Sequence, residues 1–227
     1  MYKKYEDILS VKLISYTQPN PEEFSQGFID DGIQNLISYC ARVSNPSNQN
    51  NLDTVDKLLN YLIKNKHWSP FEMVDVCLEI TSTRDIVRQI LRHRSFSFQE
   101  FSQRYADPTK ELDFCLKECR LQDTKNRQNS ILINNDELAE IWKQLQIQVI
   151  DIAKANYENA VSSGIAKEVA RVMLPEGNTV SRMYIKGSIR SWIHYIEVRD
   201  GNGTQKEHQL VARACAEAIN KIFPYIK

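Results

Sequence analysis

The stretch Val74-Asp75-Val76-Cys77-Leu78-Glu79-Ile80, continued by Thr81-Ser82-Thr83-Arg84-Asp85-Ile86-Val87-Arg88-Gln89-Ile90-Leu91-Arg92-His93-Arg94, changes its hydrophobic period midway. Val74, Val76, Leu78 and Ile80 alternate with Asp75, Cys77 and Glu79, the pattern of a strand with one buried face. After Thr83, a residue able to cap a helix, Ile86, Val87, Ile90 and Leu91 share one helical face over about 84–93. A half-buried strand that runs straight into a short amphipathic helix needs both kinds of element around one core.

The flanks extend this picture. Upstream, residues 12–16 read as a strand ending at the Pro19–Pro21 turn. Residues 32–43 and 52–65 have helical spacing, separated by the polar loop Ser44 to Asn51. Ser69-Pro70-Phe71-Glu72 is a helix start signal, with Ser69 as cap and Glu72 completing the box. Downstream, residues 105–134 carry no sustained period and read as a long irregular connection. Residues 135–163 are the longest helical pattern, stopped at Ser163-Gly164, and a helix over 165–174 stops at Pro175. A strand over 179–187 and helices over 188–199 and 204–222, around the turn Asp200 to Gly203, complete the chain. The expectation is a single α+β domain over 1–227, a small and largely antiparallel sheet flanked by helices.

Composition narrows the function. Over 227 residues, 29 Lys and Arg balance 29 Asp and Glu, so bulk binding to nucleic acid or an acidic membrane is not expected. Seven glycines, spread from Gly27 to Gly203, form neither G-x-G-x-x-G nor G-x-x-x-x-G-K-[ST]. Any bound phosphate must then be held by side chains or helix ends. No apolar run approaches the roughly 18 residues of a membrane span. Glu6, Asp7 and Lys12 interrupt the region where a secretory signal needs apolar residues, and five scattered cysteines suit a reducing compartment. A cytoplasmic protein without a metal site is the expectation.

The chemistry concentrates in one segment. Between His67 and Thr109 there are five arginines and no lysine. Arg84, Arg88 and Arg92 step by four residues, and the reading of a solvated face paired with Glu79, Asp85 and Glu100 stays open beside a binding role. Arg92 to Tyr105 then holds three arginines, one histidine, three serines, one carboxylate, two glutamines and four aromatics in fourteen residues. Guanidinium forks bind phosphate, aromatic faces stack on planar rings, and Glu with Gln can read the edge of a base. A nucleotide is the ligand class such a segment suits, and a non-catalytic binder of nucleotides or single strands is the competing reading.

Arg92-His93-Arg94 followed after seven residues by Ser102 resembles the R-H-R-x7-S signature of the flavin-dependent thymidylate synthases. His67-x-Ser69-Pro70-Phe71-Glu72 is similar to that family's upstream element. Glu168-Val169-Ala170-Arg171-Val172-Met173-Leu174-Pro175 resembles its E-x-A-R-x-x-L-P helix end. Arg190 to Arg199, with Gln205-x-Glu207, resembles its C-terminal segment. The sequence departs from the family pattern at Gln99, Ser188 and His194, where Asn is frequent.

The resemblance implies a homotetramer with active sites shared between subunits. It implies FAD as cofactor, dUMP as substrate, 5,10-methylenetetrahydrofolate as carbon donor and NADPH as reductant. The positions matched to dUMP are Gln89, Arg92, Glu100, Phe101, Ser102, Gln103, Arg104, Arg171 and Arg199, with Arg199 as the catalytic group that activates the uracil ring. Those matched to FAD are His67, Ser69, Arg92, His93, Arg94, Ser95, Glu100, Ser188, Arg190 and His194. None of the five cysteines lies near the arginine cluster, so a Cys nucleophile is not expected.

Overall fold

The structure, a computed structural model, describes residues 1–30 and 32–226. In chain order its elements are β1 (Lys3–Lys4), α1 (Tyr5–Ile8), β2 (Ser10–Tyr16), α2 (Gln26–Asp30), α3 (Gly32–Ala41) and α4 (Val55–Lys64). Next come β3 (Asp75–Thr83), α5 (Arg84–Ile90), β4 (Ser97–Glu100), α6 (Pro108–Glu111), β5 (Cys115–Leu116), β6 (Arg120–Gln122) and β7 (Ser130–Leu132). The long α7 (Asp136–Ser162), α8 (Lys167–Ala170), β8 (Val180–Ser188), α9 (Ile189–Arg199) and α10 (Lys206–Asn220) follow.

The main sheet has the order β2-β3-β8-β4, antiparallel throughout. Its spine is the β3–β8 pair, in register from Asp75 opposite Ser188 to Thr83 opposite Val180. The alternation at 74–80 does what its period requires. Val76, Leu78 and Ile80 are fully buried with Met183 and Ile185 of β8, against α3, α9 and α10. Each such side chain contributes about 1.5–3 kcal/mol by leaving water. The opposite face is polar: Glu79 accepts from Lys12 Nζ at 3.1 Å and from the Tyr184 hydroxyl at 2.8 Å. A smaller core of Phe114, Leu116, Ile150, Tyr157, Ala170 and Leu174 seats α7 beside the sheet.

Three local expectations are corrected. Residues 105–134 are not one irregular connection, because they contain α6, β5 and the β6–β7 hairpin, paired from Arg120 opposite Leu132 to Gln122 opposite Ser130. Strands of two or three residues are too short to show a period. Ser69 does not cap a helix: Ser69–Met73 is a 3-10 turn with no side-chain cap, and Glu72 is drawn to Arg190 instead. The expected helix over 84–93 ends at Ile90, so Arg92 leaves the stripe that Arg84 and Arg88 begin.

The fold brings three chain ends together. β3 delivers α5, α9 ends at Arg199, and the turn after it starts α10. That turn needs Gly203, whose φ of +90° is costly for any residue with a Cβ.

Candidate active site

Arg199 occupies the last turn of α9, where a cation complements the helix dipole. Its Nε donates to His93 Nε2 at 2.8 Å, so that nitrogen is the unprotonated acceptor. The His93 ring sits edge-on to Tyr195, with centroids 5.0 Å apart. Burial, with the positive charges of Arg199, His194 and Arg92, pushes His93 down to about 4, so it is neutral near pH 7. Arg199 has no carboxylate partner among the described residues. Its Nη groups and its full charge stay available to a ligand.

Gln89, from the last turn of α5, enters the same neighbourhood through α10. Its Oε1 meets His208 Nδ1 at 3.2 Å and its Nε2 donates to Gln205 Oε1 at 2.8 Å. Arg92 and Arg94 follow immediately, both exposed, with no ion-pair partner among the described residues. By contrast Arg84 pairs with Glu100 at 3.0 Å, and Arg88 donates to Glu176 at 2.7 Å. Of the three arginines that step by four residues, Arg84 and Arg88 are therefore taken up by carboxylates, and Arg92 alone is left without one among the described residues.

A second group lies along the rim. Phe96 packs directly on Gly187, where an added Cβ would come within 2.4 Å of the ring, and it meets Trp192 at 4.7 Å between centroids. This close approach anchors the loop 91–96 and leaves Ser95 exposed. Arg190, at the start of α9, pairs with Glu72 at 2.6 Å. Ser188 is buried behind them, its Oγ donating to Glu72 and accepting from the Ser191 N–H to cap α9. A cavity of about 430 Å³ is lined here by Trp68, Ser95, Arg190 and His194, together with Lys66, Glu72, Ser191, Ile193 and Glu197. His67 and Ser69 are exposed at the start of the same 3-10 segment. Cationic, acidic, hydrogen-bonding and aromatic groups thus line one hollow.

A third group follows β4. After β4 the Phe101 N–H continues the ladder to the Arg182 carbonyl at 2.8 Å, and Gln103 turns inward and is buried. Glu100 is shared between Arg84 and the Ser181 hydroxyl, both on Oε1, leaving Oε2 uncommitted. Arg104 pairs with Glu168 at 3.2 Å, and Arg171 donates from Nε to the Glu168 carbonyl. Among the described residues no hydrogen bond or ion pair joins Ser102, Arg104 or Arg171 to Gln89, Arg92 or Arg199. The sequence-derived dUMP residues are therefore not tied into one hydrogen-bonded network among the described residues.

Sequence reasoning missed the support beneath Gln89. Gln205 donates to Glu207 Oε2 at 2.9 Å, and Arg120 of the hairpin holds the other oxygen at 2.6 Å. Gln205 and Glu207 were visible as a motif. Arg120 was not, because it lies in the segment without a period. No cluster of His, Cys, Asp and Glu suited to a metal ion occurs among the described residues, nor does a helix long and apolar enough to cross a membrane.

A protein-family model described as "Thymidylate synthase complementing protein" matches residues 29–225. The flavin-dependent thymidylate synthase of Synechocystis sp. is 49% identical over 96% of this chain and 97% of its own length. The chain belongs to the flavin-dependent thymidylate synthase family. A probable flavin-dependent thymidylate synthase of Paramecium bursaria Chlorella virus 1 is 45% identical, again over 96% of this chain and 97% of its own. Among solved structures, the UMP/dUMP methylase PolB from Streptomyces cacaoi bound with 5-Br dUMP shares the fold. Its TM-score is 0.77 at 24% identity, over 94% of this chain and 90% of that one.

Proposed function

We propose that residues 1–227 form one catalytic domain that converts dUMP to dTMP in the cytoplasm. FAD is its cofactor, 5,10-methylenetetrahydrofolate its carbon donor and NADPH its reductant, and tetrahydrofolate is released. The observation that carries this reading is Arg199, oriented by a neutral His93 and unopposed by any carboxylate among the described residues. Methylation at C5 of uracil needs electron density on that carbon. A guanidinium at the pyrimidine edge stabilises the negative charge that develops on the ring, the kind of electrostatic contribution worth about 2.7–4 kcal/mol per donor. Gln89 stands beside it for the base, and the free guanidinium groups of Arg92 and Arg94 are suited to phosphate groups.

The hollow formed by Ser95, Arg190 and His194, with His67, Ser69 and Arg92 to Arg94 at its edge, would hold FAD. When bound, the flavin supplies hydride chemistry that no side chain offers. The chain itself fixes the ligands and keeps His93 neutral. A Cys nucleophile is not part of this proposal: burial raises the Cys40, Cys77, Cys115 and Cys215 thiols, which disfavours thiolate.

The lack, among the described residues, of any hydrogen bond or ion pair tying Arg104 or Arg171 to Arg199 is in keeping with a homotetramer in which different subunits complete each site. The outer face of α7 supports it too, because Leu138, Ile141, Trp142, Leu145, Val149 and Ile152 are exposed at helical spacing. Purified protein is expected to be yellow, to oxidise NADPH in a dUMP-dependent way and to form dTMP from dUMP and methylenetetrahydrofolate. A colourless protein with no dUMP-dependent turnover after FAD addition overturns the reading.

A further inference from the structure

Gln89 is gripped at both ends of its amide, and the grip has a direction. Glu207 is buried and held ionised by Arg120, so the neighbouring Gln205 must turn its Nε2–H, not its carbonyl, toward that carboxylate. Gln205 Oε1 then faces Gln89, which has to offer Nε2–H to it. The Gln89 carbonyl is left facing His208 Nδ1, which must carry the proton. His208 Nε2 is consequently an acceptor, and the Tyr195 hydroxyl, 3.0 Å away, donates to it. Burial and the nearby Arg199 and His93 charges push His208 down to about 3, so the ring carries only that one proton. Reversing the Gln89 amide would reverse Gln205 and set its carbonyl against a buried carboxylate. A buried charged group left facing a like group is strongly disfavoured, so the reversed arrangement is not populated.

We propose that this chain from Glu207 through Gln205, Gln89 and His208 to Tyr195 is a specificity device that locks the Gln89 amide in one orientation for the pyrimidine. It rests on the reading above in which Gln89 meets the base of dUMP, and it adds Glu207 and His208 as positioning residues. A locked amide presents one remaining N–H and one remaining carbonyl lone pair in fixed places. Uracil offers O4 as acceptor and N3–H as donor, whereas cytosine offers a 4-amino donor and an N3 acceptor. An amide free to turn over could satisfy either edge. An amide that cannot turn satisfies one and leaves the other with facing like groups, the situation in which a hydrogen-bonding site discriminates most strongly.

The test measures dissociation constants for dUMP and dCMP by equilibrium dialysis on the FAD-loaded protein, with flavin content and circular dichroism as controls. The unaltered protein is expected to prefer dUMP by about 100-fold or more, and Glu207→Gln, which accepts either amide polarity, to narrow that preference about tenfold. His208→Leu is expected to weaken dUMP about tenfold, whereas His208→Asn, whose Nδ2–H replaces the Nδ1 donor, stays within about threefold. Should Glu207→Gln not fold, the two His208 variants carry the test. An unchanged preference in Glu207→Gln and His208→Leu, with dUMP binding weakened in Gln89→Ala, overturns the proposal alone. Unweakened dUMP binding in Gln89→Ala removes the reading on which it rests.

Discussion

Two neutral histidines make the folded protein sensitive to mild acid, and the window can be derived. His93 and His208 are pushed from an ordinary value of 6.5 to about 4 and about 3, chiefly by burial. The folded state binds fewer protons than the unfolded state wherever the pH lies between those values. Stability is therefore complete above about pH 6.5 and falls as the pH drops toward the folded values. At about pH 5 each histidine costs roughly 2 kcal/mol, at 1.36 kcal/mol per pH unit below its unfolded value. Discounting His93 for its solvent exposure leaves about 3 kcal/mol for the pair, a large share of a typical 5–15 kcal/mol. Carboxylates do not confuse this interval. Glu72, Glu79, Glu118 and Glu207 are lowered from 4.5, so the stability they contribute is lost as the pH falls through the unfolded value of 4.5, mostly below the pH 5 of the comparison. The assay is urea unfolding at fixed protein concentration at pH 7 and pH 5, for the unaltered protein and for His208→Asn. The variant is expected to lose about two-thirds of the pH-dependent difference. A difference below about 1 kcal/mol in the unaltered protein, or an equal one in both, would refute the reasoning.

Other expectations follow from single contacts. Arg199→Lys loses the Nε bond to His93 and the planar fork, and is expected to lower kcat about 10²–10³-fold with flavin content unchanged; turnover within a few-fold of the parent would remove Arg199 from its role. Gly187→Ala drives a Cβ into the Phe96 ring and is expected to cost about 1–3 kcal/mol, read as a lower Tm; an unchanged Tm would mean the loop 91–96 relaxes freely. Leu145→Glu combined with Val149→Glu charges the exposed face of α7 and is expected to reduce the mass seen in sedimentation velocity. An unaltered mass would place the subunit contact elsewhere.

The parts of the fold legible in the sequence are those where one period runs long enough to be read. The alternation from Val74 to Ile80 marks β3, and Leu59 and Leu62 mark α4, because each segment buries one face against a single core. The β6–β7 hairpin was illegible for the opposite reason: all of Ser130 to Leu132 is exposed, and its place is fixed by polar contacts such as Arg120 to Glu207. The site divides in the same way. The motif from Arg92 to Ser102 identified the chemistry, but its spacing gave no hint that Arg84 and Arg88 are consumed by Glu100 and Glu176. Nor did it show that Arg104 and Arg171 gather around Glu168. Ion pairing depends on which carboxylates the fold brings near, and a linear motif does not carry that information.

That distribution explains how a chain with no net charge can still present strong cationic sites. Arg84, Arg88, Arg104, Arg120, Arg190 and Arg213 each have a carboxylate within ion-pair distance. Arg92, Arg94 and Arg199 have none among the described residues. For Arg199 the choice of partner matters most. A carboxylate would orient the guanidinium as well as His93 does, but it would cancel much of the charge that the proposed role at the pyrimidine needs. An imidazole orients it through one lone pair and leaves the charge in place, provided the ring stays neutral. The burial that lowers His93 is thus a condition for the role proposed for Arg199, and the expected acid sensitivity is the cost of holding a cation in position without neutralising it.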